Sequence, residues 1–333
     1  MPSIQQPLLA QEYDPELHAS LFPLYGTAKI DGIRAYIDEG AVWARSNKPI
    51  PNRFIQEVLP LYLPNGTDIE LGAGVYSAQD HFQKTTSVVM SDAKPITDLH
   101  VYILDYVQED GHEILPYYQR IAYIDKWRKA HCQLTISDSP VYHVPTNGKK
   151  CYNVNMLREV SHNTKVMAPV KLSSPSQVTL YLKHCLKLGY EGIVLRDPQG
   201  GYHFGRPQQK DGLLLRHKPL TDGEAVIIGF TELEHNDNEP TISPTGRTVR
   251  STCISGKVAG NTLGSFLVRD NTTGVEFSVG GGKGLTQELR KEVWNNRETY
   301  LGTILRYSFL SCGTKDKPRQ PKFTGFRDAI DLS

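Results

Sequence analysis

The 333-residue sequence predicts a mixed α/β domain followed by a smaller β-barrel domain. Two observations carry that prediction. Over the first 220 residues, β-rich runs alternate with stretches whose apolar residues recur at helical spacing. Beyond the hinge-like Pro219-Leu220-Thr221-Asp222-Gly223, short β-rich runs dominate and one helical stretch interrupts them. A chain of this length can bury two cores, and the expected domains are 1–220 and 221–333.

Taken in order, residues 1–27 lead into the first sheet, and 28–34 reads as a strand–turn–strand hairpin. A strand follows at 41–45, then a short helix at 52–59 with Asn52 placed to cap it. Residues 68–71 form a strand after the turn signal Pro64-Asn65-Gly66. The run 101–107 (VYILDYV) is rich in β-formers and predicts a buried strand. Ile121, Ile124 and Trp127 stand at helical spacing within 117–130. Ser174-Pro175-Ser176 opens a helix whose apolar face holds Val178, Leu182, Cys185 and Leu188, and Gly189 ends it. Strands at 191–196 and 213–218 complete the first domain. In the second, β-rich runs at 225–230, 253–258, 265–268, 275–279 and 303–309 accompany one helix at 286–300. Five short strands and a helix suit an OB-type barrel.

Composition sets limits on function. Charged residues are 22% and hydrophobic residues 39% of the chain, an ordinary globular balance. Net charge is +1, so any nucleic-acid surface must be a local basic patch. Cys132, Cys151, Cys185, Cys253 and Cys312 are odd in number and form no Cys-x-x-Cys pair. Reduced thiols in a cytoplasmic or other intracellular compartment are expected, rather than disulfides or structural zinc. No signal-peptide pattern and no membrane-length apolar run is present, so no membrane partner is expected.

The chemistry centres on Ala28-Lys29-Ile30-Asp31-Gly32-Ile33-Arg34. An amine with a pKa of about 10.4 is a poor nucleophile at neutral pH. Burial and nearby cations can lower that value by about 3–5 when the group is fully buried. A lysine beside arginines and a metal-bound phosphate can then attack that phosphate. The heptapeptide fits a surface hairpin with ordinary charges equally well. Glu70 and Glu191 stand at strand edges beside glycine, as donors for a hard cation or a ribose hydroxyl, or as solvated strand ends. Arg216 and Lys218 alternate across His217, which puts them on one face of a strand.

The order of these motifs is informative. Lys29-x-Asp-Gly-x-Arg, Glu70, the 101–107 strand, Glu191-Gly192 and Arg216-x-Lys218 together resemble the covalent nucleotidyltransferases, namely ATP-dependent DNA ligases, RNA ligases and mRNA-capping enzymes. The segments 82–90, 202–206, 250–257 and 315–321 resemble the minimal ATP-dependent DNA ligases of the chlorella-virus type. The likeness covers most of the chain apart from an expansion around 130–170.

That resemblance implies an ATP-grasp-like adenylation (nucleotidyltransferase) domain, an OB-fold domain, and site residues by position. Lys29 would be the adenylylated nucleophile, with Asp31 and Arg34 in the same motif and Ala28 beside it. Glu70 would bind ribose or assist catalysis, and Glu191 with Glu70 would hold Mg²⁺ or Mn²⁺. Arg216 and Lys218 would contact the ATP phosphates, and Arg319 and Arg327 would act from the second domain. On DNA, Arg45 and Arg206 would hold the 5′-phosphate of a nick, with Phe82, Thr85 and Met90 near its termini. Three positions depart from the pattern. Leu104 replaces an adenine-stacking aromatic, leaving adenine between Leu104 and Val194; Arg216 stands where lysine is usual; Asn47 replaces an aromatic.

Within 231–240 the charges are all acidic (Glu232, Glu234, Asp237, Glu239), and within 241–260 all basic (Arg247, Arg250, Lys257). The resemblance reads an insertion at about 232–257 as a hairpin latch that closes around DNA. The expected function is sealing of 3′-hydroxyl/5′-phosphate nicks in duplex DNA by a monomer. An RNA ligase, a capping guanylyltransferase or a non-enzymatic DNA-end-binding protein are the alternatives. Arg327-Asp328-Ala329 does not supply the Arg-x-Asp-Lys ending usual in capping enzymes. The short stretch before Lys29 leaves no room for the N-terminal domain that NAD⁺ use requires.

Overall fold

A computed structural model describes residues 7–74, 81–92, 96, 98–107, 115–131, 141–143, 151–153, 160–242, 248–251, 253–282, 284–310 and 317–327. The chain divides into two compact units, Met1–Lys218 and Pro219–Ser333. The first contains β1 (Gln11–Glu12), β2 (Leu24–Lys29), β3 (Ile33–Asp38), β4 (Ala41–Ala44), α1 (Arg53–Tyr62), β5 (Thr67–Ala73), α2 (His81–Val89), β6 (Leu99–Tyr106) and α3 (Tyr117–His131). It continues with β7 (Val141–His143), β8 (Cys151–Asn153), β9 (Thr164–Val166), β10 (Val170–Leu172), α4 (Pro175–Lys187), β11 (Gly192–Arg196) and β12 (Leu215–His217).

Two five-stranded sheets result, ordered β1-β12-β11-β2-β10 and β4-β3-β5-β6-β9. β2 and β3 therefore lie in different sheets, and 28–34 is not the hairpin its sequence suggests. Ile30-Asp31-Gly32 is a crossover between sheets. A strand–turn–strand pattern cannot separate the two cases, because each strand finds its partners far along the chain. β2 pairs with β11, and β3 with β5. Gly32 is required for space: a Cβ there would run into the Leu71 carbonyl and lie 2.9 Å from Glu70 Cγ.

The helices follow their local signals. The Asn52 side chain accepts hydrogen bonds from the Phe54 and Ile55 amides, capping α1. Phe54, Ile55, Val58 and Leu59 then pack with Ile69, Leu71, Val101 and Ile103 of the second sheet and Ile121 and Ile124 of α3. Each such burial is worth about 1.5–3 kcal/mol. In α4, Ser174 Oγ caps the Gln177 amide at 3.4 Å, and Val178, Leu182 and Cys185 bury against Leu24, Ala28, Ile193 and Leu195 of the first sheet. Leu188, expected on that face, is 53% exposed. It sits past the last helical residue, and Gly189 turns the chain away with φ +87°.

The second unit contains β13 (Leu220–Asn236), β14 (Pro240–Ile242), β15 (Thr248–Arg250), β16 (Lys257–Asp270), β17 (Glu276–Val279), α5 (Gln287–Asn295), α6 (Arg297–Tyr300), β18 (Ile304–Leu310) and β19 (Arg319–Phe326). Its sheet runs β17-β16-β13-β18-β19 around Phe266, Tyr307, Phe323 and Val293. Among the described residues the ladder does not close fully as a barrel. One bridge, Gly281 to Lys322, joins its edges, and the Phe323 amide donates to the Gly281 carbonyl at 2.6 Å. The runs expected at 253–258 and 265–268 are a 3₁₀ turn (Ile254–Gly256) followed by the single strand β16. The fifth strand is β19, hidden in the sequence by Pro318 and Pro321. As an edge strand it tolerates proline. No helix among the described residues is long and apolar enough to cross a membrane.

Candidate active site

Lys29 ends β2 directly opposite Gly192, the first residue of β11. Gly192 has φ +155°, and a Cβ there would collide with the His217 carbonyl, so glycine lets three chain segments converge. Their convergence puts Glu191, 3% exposed, between two ammonium groups. Its Oε2 accepts from Lys29 Nζ at 2.6 Å, and its Oε1 accepts from Lys218 Nζ. Burial would raise the Glu191 carboxyl, but Lys29 and Lys218 outweigh it and hold it below its usual range. Lys218 is pushed down, by burial first and then by the charge of Lys29.

The second sheet supplies the opposite wall. Arg34 grips the buried Asp68 with two parallel bonds, Nε to Oδ1 at 2.9 Å and Nη2 to Oδ2 at 2.5 Å. Glu70 is opposite Arg34 in register. Burial pushes the Glu70 carboxyl up to about 7; Lys29 and Arg34 oppose this, while Asp68 and Glu191 reinforce it. One carboxyl thus senses charges from both sheets, and Lys29, Arg34, Glu70 and Glu191 share one cleft. Ala28 is buried beneath it, and Asp31 sits half-buried on the crossover.

Other predicted residues are placed differently. Arg216 is held by Glu12 of β1, with Nε to Oε1 at 2.7 Å, yet lies near enough to disfavour the charge on Lys218. Leu104 occupies a β-bulge, since Asp68 pairs with Asp105 while Ile69 pairs with Ile103. Leu104 and Val194 are both half-buried, one on each sheet. Asn47 has φ +57° and accepts from the Tyr36 hydroxyl at 3.0 Å. Arg45 is exposed, Met90 is 47% exposed and Phe82 is half-buried. Arg206 is exposed and donates to the Ala10 carbonyl at 2.8 Å. Thr85, expected near the termini of a nick, is fully buried, its hydroxyl accepting from the Ala73 amide at 3.0 Å.

In the second unit, β13 and β16 stay paired to Asn236 and Lys257, and the β14–β15 hairpin lies between them in the chain. Arg250 is exposed and donates to the Asn238 carbonyl, and Lys257 pairs with Glu234 at 3.0 Å. Arg247 lies outside the described residues. Arg319 opens β19, and Arg327 pairs with Glu224.

Sequence reasoning missed the buried charges behind the cleft. Asp105 accepts from Arg120 Nε at 2.9 Å and Arg196 Nη1 at 2.6 Å, tying β6 and α3 to β11 of the other sheet. Tyr202 donates to Asp68 at 3.2 Å. These partners stand 91 and 134 residues apart, beyond any local pattern.

A lysine, two carboxyls and an arginine thus meet in a cleft between the two sheets of the first unit, and an OB-like unit follows in the chain. Residues 255–327 match the family model of the DNA ligase OB-like domain. The structure of Chlorella virus DNA ligase-adenylate is similar at 27% identity and TM-score 0.51, covering 98% of this chain and 100% of that one. A second structure of that ligase-adenylate gives 29% identity and TM-score 0.51, covering 98% and 99%. A Lig E DNA ligase shares the fold at TM-score 0.65 and 19% identity, covering 97% and 99%. No curated protein matches the chain. Over nearly its whole length the chain is thus similar to the DNA ligase-adenylate of Chlorella virus, and its second unit to the DNA ligase OB-like domain.

Proposed function

We propose that the chain seals 3′-hydroxyl/5′-phosphate nicks in duplex DNA, with Lys29 as the adenylylated residue. The observation that carries this is the Lys29–Glu191–Lys218 bridge, set in a cleft with Arg34 and Glu70. Two ammonium groups around one buried carboxylate make an anion-seeking site. When the phosphates of ATP enter, Lys218 gains a second anionic partner and the hold on Glu191 loosens.

Lys29 Nζ, its proton lost to solvent, then attacks the α-phosphorus of ATP. A P–N bond forms, the bond to the bridging oxygen breaks, and pyrophosphate leaves. The 5′-phosphate oxygen of the nick attacks the adenylyl phosphorus and releases the Lys29 amine. The 3′-hydroxyl then attacks the 5′-phosphorus and expels AMP. In this scheme Arg216 and Lys218 hold phosphates, Glu70 accepts from a ribose hydroxyl, and Arg34 steadies the nucleotide.

Among the described residues no group of three or more metal-binding side chains occurs. Glu191 and Glu70 nonetheless offer the oxygen donors that Mg²⁺ or Mn²⁺ takes together with substrate phosphates. When bound, such an ion would offset charge developing on the phosphate oxygens.

The test offers labelled ATP, GTP or NAD⁺ to the protein, followed by nicked DNA or RNA. Label is expected on the protein from ATP and then on nicked DNA. Label from GTP alone would overturn the proposal.

A further inference from the structure

Tyr202 is 3% exposed and joins two groups of buried charges. Its hydroxyl donates to Asp68 Oδ2 at 3.2 Å and accepts from the Leu8 amide at 3.0 Å. Asp68 in turn holds Arg34 through both carboxylate oxygens. On the ring side, the Arg120 guanidinium lies 5.7 Å from the Tyr202 ring centre. Arg120 is itself held by Asp105 and by the Gly200 carbonyl at 3.0 Å, and Asp105 also holds Arg196. One group therefore ends at Arg34 in the cleft, while the other spans both sheets. Burial also keeps the Tyr202 hydroxyl protonated, so it remains a donor.

We propose that Tyr202 is a positioning residue for Arg34. Asp68 Oδ2 is shared between Arg34 and Tyr202, and the tyrosine bond resists rotation of the carboxylate. Without it, Arg34 has a competing carboxyl directly opposite in register, Glu70. The hydroxyl thus keeps Arg34 on Asp68 and leaves Glu70 open to the cleft. The importance of this for catalysis rests on reading the cleft as the site of lysyl-AMP formation.

Y202F removes the hydroxyl but keeps the ring over Arg120. Single-turnover lysyl-AMP formation should fall roughly tenfold, the scale of one hydrogen bond to a charged group. In an R34A background, Y202F should change the rate less than about twofold, because coupled residues are not additive. Equal losses in both backgrounds would overturn the proposal, since a merely structural tyrosine acts independently of Arg34. A second readout needs no activity. Proton exchange at Arg34 Nε–H, identified by its loss in R34K, should be about tenfold faster in Y202F. 3-Fluorotyrosine at position 202, a stronger donor of the same shape, should slow that exchange and gives an answer even if Y202F fails to fold. Unchanged exchange in a folded variant would overturn the proposal. A parent protein that takes no label from ATP would instead overturn the reading of the cleft, while the exchange measurement still decides the role of Tyr202.

Discussion

Glu70→Gln should stabilise the protein at alkaline pH and make little difference in acid. The Glu70 carboxyl ordinarily titrates at 4.5, and burial raises it to about 7, against the pull of Lys29 and Arg34. The neutral form is therefore the one that the fold prefers. Its stabilising contribution is complete below pH 4.5 and is lost as pH rises through about 7. The gap corresponds to at most about 3 kcal/mol. Glu70 is only partly buried, and solvent screening reduces this to roughly 1–2 kcal/mol. Glutamine stays neutral throughout, so the difference between variant and parent should grow from near zero at acid pH to that size in mild alkali. Urea melts of both proteins across this range measure it. A difference independent of pH, or one that grows toward acid, would refute the assignment of Glu70 as a carboxyl that the fold holds mostly protonated up to about pH 7.

Asp105→Asn leaves Arg120 and Arg196 buried without their counter-charge, and should cost about 3–5 kcal/mol in a urea melt. A loss below about 1 kcal/mol would mean the triad is dispensable. Gly32→Ala places a methyl against the Leu71 carbonyl and should cost about 1–3 kcal/mol, read as a lower Tm. An unchanged Tm would show that the crossover has room to spare. Replacing 238–255 with a Gly/Ser turn should spare labelling by ATP and weaken binding to nicked duplex. The salt slope of log K should become shallower by about 0.9 for each DNA phosphate that the hairpin no longer neutralises. A variant that binds nicks like the parent at every salt concentration would make the hairpin an idle loop.

Local chemistry made much of this fold legible. Asn52 and Ser174-Pro175 announce α1 and α4 because capping needs only neighbouring residues. The misread elements are those settled at long range. The segment 28–34 looks like a hairpin until β11 and β5 claim its two strands for different sheets. β19 is masked by prolines that only an edge position permits. Thr85 is named by resemblance alone, and no local signal announces that its hydroxyl accepts from the Ala73 amide. The same division holds in the site. Lys29, Glu70, Glu191 and Lys218 stand out by motif, and the structure brings all four into one cleft. Asp68, Asp105, Arg120, Arg196 and Tyr202 carry no local signal, because each is defined by a distant partner.

The central claim is that the Lys29 amine carries the nucleotide. Lys29→Ala, checked for folding, should take no label from ATP yet still seal a nick already bearing a 5′-adenylate, since only the first two steps need the amine. Sealing of that nick at a rate near the parent's, with no protein label, is the predicted result. Labelling of the alanine variant by ATP would contradict the account directly.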